Sequence, residues 1–152
     1  MFGRLECLCA DNRESTTVML ISIIVPNRNG EKFIEHTLRS IVEQRNCNIE
    51  LIVVDGDSSD NSMAIINTFL SSIKTCISEQ DKGMYDAINK GMKLSSGEIL
   101  AYLNSDDHYY PGTLEYVSNY FESNPDVDMI YGDLIFIDSS GKKIYRQYYP
   151  EF

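Results

Sequence analysis

The run Leu20-Ile-Ser-Ile-Ile-Val25 constrains this chain more than any other stretch. It is apolar and β-branched, without the polar alternation of a half-wet strand, which is the pattern of a strand buried on both faces. Such strands belong to parallel sheets covered by helices. Leu51–Val54 and Ile99–Leu103 repeat the pattern, and stretches of helical period lie between them. Residues 31–44 place Phe33, Ile34, Leu38, Ile41 and Val42 on one face. Asp60 stands where it can cap a helix whose Met63, Ile66, Phe69, Leu70 and Ile73 face inward. Residues 84–94 read as a third helix closed by Gly97. Pro111 opens a fourth, with Leu114, Val117 and Phe121 as its stripe. Pro26 is expected to stop the first strand. Cys76–Ser78, Met129–Tyr131 and Leu134–Ile137 read as shorter strands. Asp138-Ser-Ser-Gly141 reads as a turn into a last strand, Lys143–Tyr148.

This alternation predicts an α/β fold, with a mostly parallel central sheet and helices on both faces. A chain of 152 residues suits roughly one domain, and at that length about 70% of the unfolded surface can be buried. Residues 1–18 have no clear period and read as an appended or poorly ordered lead-in. The domain is expected to occupy 19–152.

Lys and Arg number 13 against 23 Asp and Glu, a net charge of −10. A nucleic-acid partner, which needs clustered cations against phosphates, is disfavoured. An acidic protein can still hold an anionic small molecule through a bridging metal ion. Cys7, Cys9, Cys47 and Cys76 form no CxxC or Cys/His zinc spacing, and their spread suggests a reducing compartment. Cys47 and Cys76 flank predicted strands and read as small packed residues. No apolar run approaches the ~18 residues of a membrane span, and the first residues lack the apolar core of a secretory signal.

Ligands of such folds bind beyond the carboxyl ends of the strands. Three polar clusters stand there: Pro26-Asn-Arg-Asn-Gly30, Asp55-Gly-Asp-Ser-Ser-Asp60 and Asn104-Ser-Asp-Asp107. Asp106 and Asp107 are adjacent carboxylates, which repel unless a cation or donor compensates. A hard divalent ion with oxygen ligands is the natural compensator, and such ions also bind phosphates. Other readings fail on the residues. An EF-hand loop starting at Asp55 would need Gly at Asp60 and Glu at Ile66. No GxGxxG follows the first strand, and there is no GxxxxGK[ST] or GxSxG.

The segments SIIVPNRNGEKFIEHTLRSI, ELIVVDGDSSDNS, DKGMYDAINKGMKLSSGEILAYLNSDD and YYPGTLE, in this order, resemble the family 2 glycosyltransferases of GT-A fold. This is the inverting group that builds bacterial surface polysaccharides. The likeness runs from about Ile21 to about Asp133, and the wording looks like the exopolysaccharide and O-antigen type. It implies a Rossmann-like three-layer fold, a nucleotide diphosphate sugar as donor, UDP-sugar favoured, and a glycan or lipid-linked acceptor. By the resemblance, Pro26, Asn27 and Asn29 lie along the nucleotide and Asp55 binds the base. Asp81, Lys82 and Gly83 lie near base and diphosphate, and Asn104 takes the first place of a D-x-D-D type motif. Asp106 would touch ribose or metal, and Asp107 would ligate Mn2+ or Mg2+. Two departures stand out. Asn104 replaces the commoner Asp, and Ala87-Ile88-Asn89 lacks the Arg often found there, for which Lys82 or Lys90 could substitute.

The implied reaction is direct displacement at the anomeric carbon, with a metal stabilising the leaving diphosphate. The general base is expected beyond Phe152, because family catalytic domains are longer and the chain matches their donor half. A non-catalytic or truncated nucleotide-sugar-binding module is therefore the alternative to an enzyme. A sugar-nucleotide synthesising nucleotidyltransferase would carry a GxGTR-type loop where PNRNG stands. Asp133 is a weaker candidate facing the acceptor, and His36 and His108 read as surface residues. Tyr145, Tyr148, Tyr149 and Phe152 are expected to form an apolar patch that packs on a further segment and favours self-association. The expected location is cytoplasmic, with a peripheral place at the inner membrane face as its variant.

Overall fold

The computed structural model of the chain describes residues 18–138 and 140–149. The expectations for the lead-in, Cys7, Cys9 and Phe152 lie outside them. The elements run β1 (Leu20–Asn27), α1 (Ile34–Val42), β2 (Asn48–Asp55), α2 (Ser62–Asn67), β3 (Thr75–Ser78), α3 (Met84–Leu94), β4 (Ile99–Tyr102), α4 (Thr113–Ser123), β5 (Leu134–Ile137) and β6 (Lys143–Gln147). Four strands form one parallel sheet in the order β3-β2-β1-β4, and β5 and β6 form a separate antiparallel hairpin.

The apolar run of β1 is buried on both sides, as its composition requires. Ile21, Ile23 and Val25 join Leu51 and Val53 of β2 in a core with Ile34, Leu38 and Ile41 of α1, Ile66 of α2 and Leu114 of α4. Ile24 joins Ile52 and Val54 against Ala87 of α3 on the opposite face. Helices thus cover both faces of the sheet, giving three layers. A Cβ on Gly91 would come 2.4 Å from Cγ2 of Ile24, so the glycine allows α3 to sit close on β1.

Right-handed crossovers explain the strand order. From β1 through β3 the chain moves one way with α1 and α2 on one face. It then returns by α3 on the other face and adds β4 beside β1. The reversal puts a crevice between the carboxyl ends of β1 and β4, where ligands of such sheets bind.

Pro26 does not stop β1, which continues to Asn27. The amide of Leu103 donates to the Ile24 carbonyl and that of Gly56 to the Asn27 carbonyl. Even positions of β1 therefore turn their backbone to β4 and odd positions to β2. The N–H that Pro26 lacks is one that would have faced β4, so the proline ends the β1–β4 ladder alone while pairing with β2 runs on to Asn27 and Asp55. That divergence opens the crevice.

Five other expectations change. Met129–Tyr131 forms no strand; Met129 is 74% exposed, and no strand among the described residues pairs with it. α1 starts at Ile34, and Phe33 and Val42 are exposed at its ends. α2 is short; Asn61 stands at the cap position without a side-chain bond, and Asp60 accepts the amide of Ser62, the first helical residue, as expected of it. The chain continues in three-residue turns to Ile73, which leaves Leu70 exposed. Gly97 caps nothing, since α3 closes at Ser95. A Cβ there would meet the Leu20 carbonyl at 2.6 Å and Ser22 Oγ at 2.7 Å. The glycine lets the turn into β4 lie against β1. Pro111 also stands outside its helix, in the turn before Gly112, the cap, whose φ of +82° suits glycine.

At the amino end of the sheet, the buried Glu50 carboxylate takes hydrogen bonds from Ser22 Oγ and from the amide and hydroxyl of Ser96. The Ser22 bond leads in lowering its pKa below the ordinary value of 4.5, outweighing burial.

Candidate functional site

The carboxyl ends of β1 and β2 hold Asn27 and Asp55 side by side. Asn27 is buried, and its Nδ2 donates to Asp55 Oδ1 at 2.7 Å. Asp55 is fully buried and takes three more bonds. Ser58 donates through its hydroxyl to Oδ1 and through its amide to Oδ2, and the Ser78 hydroxyl donates to Oδ2 at 2.8 Å. Four donors match the four lone-pair sites of a carboxylate. Burial alone would raise the Asp55 pKa, but the bonds from Ser58, Ser78 and Asn27 outweigh it and hold the group ionised below its ordinary value.

The following loops are laced together in the same way. Asn29, in the left-handed region at φ +52°, receives the Ser59 amide on its Oδ1 and gives its own amide to Ser58 Oγ. The Gly30 amide donates to Ser62 Oγ. Asp60 accepts the amides of Glu31 and Ser62, and Glu31 accepts the amide of Asn61. Gly30 has a packing role as well: a Cβ there would overlap Asn27 Oδ1 at 2.2 Å.

Asp81 lies over Gly56, where a Cβ would meet its Oδ2 at 2.5 Å, so the third loop rests on the second. Its Oδ1 accepts the amide of Gly83, whose φ is +108°. Lys90 is engaged by Glu79 at 2.7 Å and by Asp86 at 3.6 Å. The Lys82 amide is bonded to Asp86, and its exposed ammonium attracts that carboxylate without a hydrogen bond or ion pair to it among the described residues. Of the two lysines, Lys82 is the one whose ammonium is open to an anion.

The end of β4 is different. Asp106 and Asp107 are exposed, and Asp107 accepts a single side-chain bond, from Asn104 Nδ2 at 3.0 Å. The Oδ1 atoms of Asn27 and Asn104 are buried without a partner among the described residues. Buried polar atoms are seldom left so, and both stand at the two strand ends that border the crevice.

The backbone of this loop is held by α1. Thr37 and Ser40 lie beside the apolar stripe of Ile34, Leu38 and Ile41, and Gln44 follows just past the helix end at Val42. The Thr37 hydroxyl is 2.9 Å from the Ser105 carbonyl and 2.8 Å from that of Asp107. Ser40 Oγ accepts the Tyr109 amide, and Gln44 donates to the Tyr110 carbonyl and accepts the Leu114 amide. Sequence reading missed these residues, although polar side chains three and four apart along a core helix were the available signal.

Asp107 borders two clefts. One, of about 1050 Å³, lies between α1, the Asp106–Tyr109 loop and the hairpin turn at Asp138. The other, of about 760 Å³, is lined by Tyr102, Tyr109, Met129, Tyr131 and Tyr149 together with Asn104. Asn27, Asp55 and Asp81 border neither. Asp133 accepts the amide of Tyr149 and a two-pronged bond from Arg146, which lower its pKa. Tyr145 stacks on Phe136 at 4.3 Å, Tyr148 lies under Arg146, and Tyr149 meets Tyr131 edge-on.

Among the described residues, no three His, Cys, Asp or Glu side chains gather into a metal cage. Asp106 and Asp107 offer two open carboxylates beside the unpartnered Asn104 oxygen. That donor set suits Mg2+ or Mn2+, which take one or two carboxylates and complete their shell with phosphates and water. No helix among the described residues is long and apolar enough to cross a membrane.

Comparison with known proteins bears on the same region. The model of the family described as glycosyl transferase family 2 matches residues 22–151. A PGL/p-HBAD biosynthesis glycosyltransferase of Mycobacterium bovis is 34% identical over 120 residues, 76% of this chain and 47% of that protein. The UDP-Glc:alpha-D-GlcNAc-diphosphoundecaprenol beta-1,3-glucosyltransferase of Escherichia coli is 36% identical over 123 residues, 80% of this chain and 48% of that protein. The chain thus spans about half the length of these curated relatives. Among solved structures, S. aureus TarS in complex with UDP-GlcNAc superposes with a TM-score of 0.66 at 27% identity, covering 70% of this chain and 32% of TarS. A mannosyltransferase from Pyrobaculum calidifontis shares the fold, with a TM-score of 0.63 at 23% identity over 78% of this chain and 35% of its own.

Proposed function

The chain belongs to glycosyltransferase family 2, and we propose that it binds the nucleotide diphosphate part of a sugar donor, UDP-sugar favoured, for transfer to a glycan or lipid-linked acceptor. One observation carries this reading. At the end of β4, Asp106 and Asp107 are open carboxylates on a loop whose backbone is fixed, whereas Asp55 and Asp60 beside them are engaged by the protein itself. The names of the Escherichia coli relative and of the TarS complex favour UDP as the nucleotide, and the former favours a lipid-diphosphate-linked acceptor.

In the proposed mechanism, Asp55 shapes the floor on which the base rests. It is buried with all four lone-pair sites filled, so touching the base would require a Ser58 or Ser78 hydroxyl to turn away. Asn27, Asn29 and Pro26 form the neighbouring wall. Asp81, Lys82 and Gly83 border the diphosphate, with the Lys82 ammonium as the nearby cation. Asp107 and Asp106 would hold Mn2+ or Mg2+, with Asn104 beside them. A bound ion of this kind supplies charge neutralisation to a departing diphosphate.

Transfer breaks the bond from the anomeric carbon to the diphosphate and forms one to an acceptor oxygen. A base takes the hydroxyl proton, and the configuration inverts. Asp133 is ill suited to be that base, since Arg146 and the Tyr149 amide stabilise its ionised form. The base is proposed to lie outside the described residues.

The half-length coverage favours a second reading, a nucleotide-sugar-binding module without turnover of its own. Calorimetric titration of UDP-sugar and GDP-sugar, with and without Mn2+, tests donor binding. Mn2+-dependent binding of one of them is expected, and binding of neither with the metal present would overturn the proposal. Release of UDP in the presence of acceptor then separates the enzyme from the module.

A further inference from the structure

We infer that Thr37 and Ser40 of α1, with Gln44 just past its carboxyl end, are positioning residues for the carboxylates of Asp106 and Asp107. The inference rests on the reading that this pair holds the metal ion and diphosphate.

The loop that carries the pair has little regular structure of its own. Among the described residues its internal bonds both join Asn104 and Asp107, one from the Asp107 amide to the Asn104 carbonyl at 3.1 Å and one from Asn104 Nδ2 to Asp107 Oδ2 at 3.0 Å. A loop so short of self-bonding would be expected to move, which would scatter two carboxylates that must act together. Thr37 and Ser40 of α1, and Gln44 just beyond it, supply the missing partners. Three side chains engage backbone groups of Ser105, Asp107, Tyr109, Tyr110 and Leu114. None of them touches a carboxylate of the pair.

The bonds are selective in a second way. The Thr37 hydroxyl reaches the carbonyls on either side of Asp106, fixing the peptide units from which both carboxylates depart. Thr37 as a residue is 1% exposed, so water has little access to its hydroxyl. Ser40 and Gln44 are braced in turn. Ser40 Oγ donates to the Thr37 carbonyl at 2.8 Å, and Gln44 Nε2 donates to the Ser40 carbonyl at 3.0 Å. The helix is itself anchored in the sheet by Ile34, Leu38 and Ile41. A rigid element therefore sets the loop, as the support of a metal-binding carboxylate requires.

The experiment compares Thr37→Val, which keeps shape and loses the hydroxyl, with Thr37→Ser, which restores it. Two readouts are taken on the whole chain. One is the gain in UDP affinity on adding Mn2+. The other is the hydrogen-exchange rate of the Tyr109 and Leu114 amides without ligand. Thr37→Val is expected to reduce the metal-dependent gain about tenfold, with metal-free UDP affinity within about twofold of wild type, and to speed exchange at both amides about tenfold. Thr37→Ser is expected to restore both. A folded Thr37→Val with the wild-type metal gain overturns the inference, as does a Thr37→Ser as impaired as the valine variant, which would mark a packing role. If wild-type chain shows no metal gain with UDP or GDP, the functional reading falls. The positioning claim is then decided by exchange alone, and unchanged rates in Thr37→Val would refute it. Should the valine variant not fold, Gln44→Met is read against the same two measures.

Discussion

Two parts of one sheet edge carry similar residues and use them differently. Where β1 and β2 end, Asn27, Asp55, Ser58, Asp60 and Ser62 bond to one another and to the adjoining loop backbone. Where β4 ends, the side chains of Asp106 and Asp107 are left open, and the backbone beneath them is tied to a helix. Aspartate after a buried strand is thus not one kind of residue. In the first region it organises loops, and in the second the loops are organised for it. The first should answer to substitution mainly in stability, the second mainly in ligand binding.

The largest expected effect on stability tests the first half of that contrast. Asp55→Ala leaves Asn27 Nδ2 and the Ser58 and Ser78 groups without their acceptor. Unsatisfied buried polar groups cost about 1–3 kcal/mol each, so a loss on the order of 3 kcal/mol is expected in denaturant unfolding. A loss below about 1 kcal/mol would break the comparison.

Gly56→Ala sharpens it. The new Cβ would crowd the Asp81 carboxylate, the free end of a side chain that can shift. The expected destabilisation is about 1 kcal/mol. UDP affinity should fall to the same extent with and without Mn2+, because the crowded group lies away from the β4 loop.

Acid titration tests the interior carboxylates. Glu50 and Asp55 both have pKa values lowered by folding, so the unfolded chain takes up their protons first. Their contribution is present above the ordinary values of 4.5 and 3.8 and is lost as pH falls below them toward the folded values. Melting temperature should therefore drop on acidification below about pH 4.5, and Glu50→Gln should flatten the upper part of that drop. A Glu50→Gln variant with the wild-type pH profile would contradict the role given to the Ser22–Glu50–Ser96 cluster.

The smallest stability effect belongs to Asp107→Ala. Its carboxylate is exposed and takes one bond, from Asn104. A change within about 0.5 kcal/mol is expected in the same unfolding measurement.

The parts of this architecture that could be read in the sequence are those set by local pattern. Ile21–Val25 and Leu51–Val54 had to be strands buried on both faces, and such strands imply a parallel sheet with helices around it. The three loop clusters followed from that sheet. Long-range hydrogen bonding could not be read. Ser78 reaches Asp55 across 23 positions and Thr37 reaches Ser105 across 68, and no spacing rule links such pairs. Met129–Tyr131 failed for a related reason, since a short apolar run becomes a strand only when a neighbour pairs with it. Pro26 failed more subtly. Its effect depends on which neighbour its missing N–H would have faced, and that phase is set by the sheet register.

The central claim is most directly tested by titrating UDP, with and without Mn2+, into Asp55→Asn and Asp107→Asn after both are shown to fold. The account predicts that Asp107→Asn loses the metal-dependent gain in affinity, while Asp55→Asn keeps that gain on top of a weaker metal-free affinity. A gain abolished in Asp55→Asn and preserved in Asp107→Asn would contradict it.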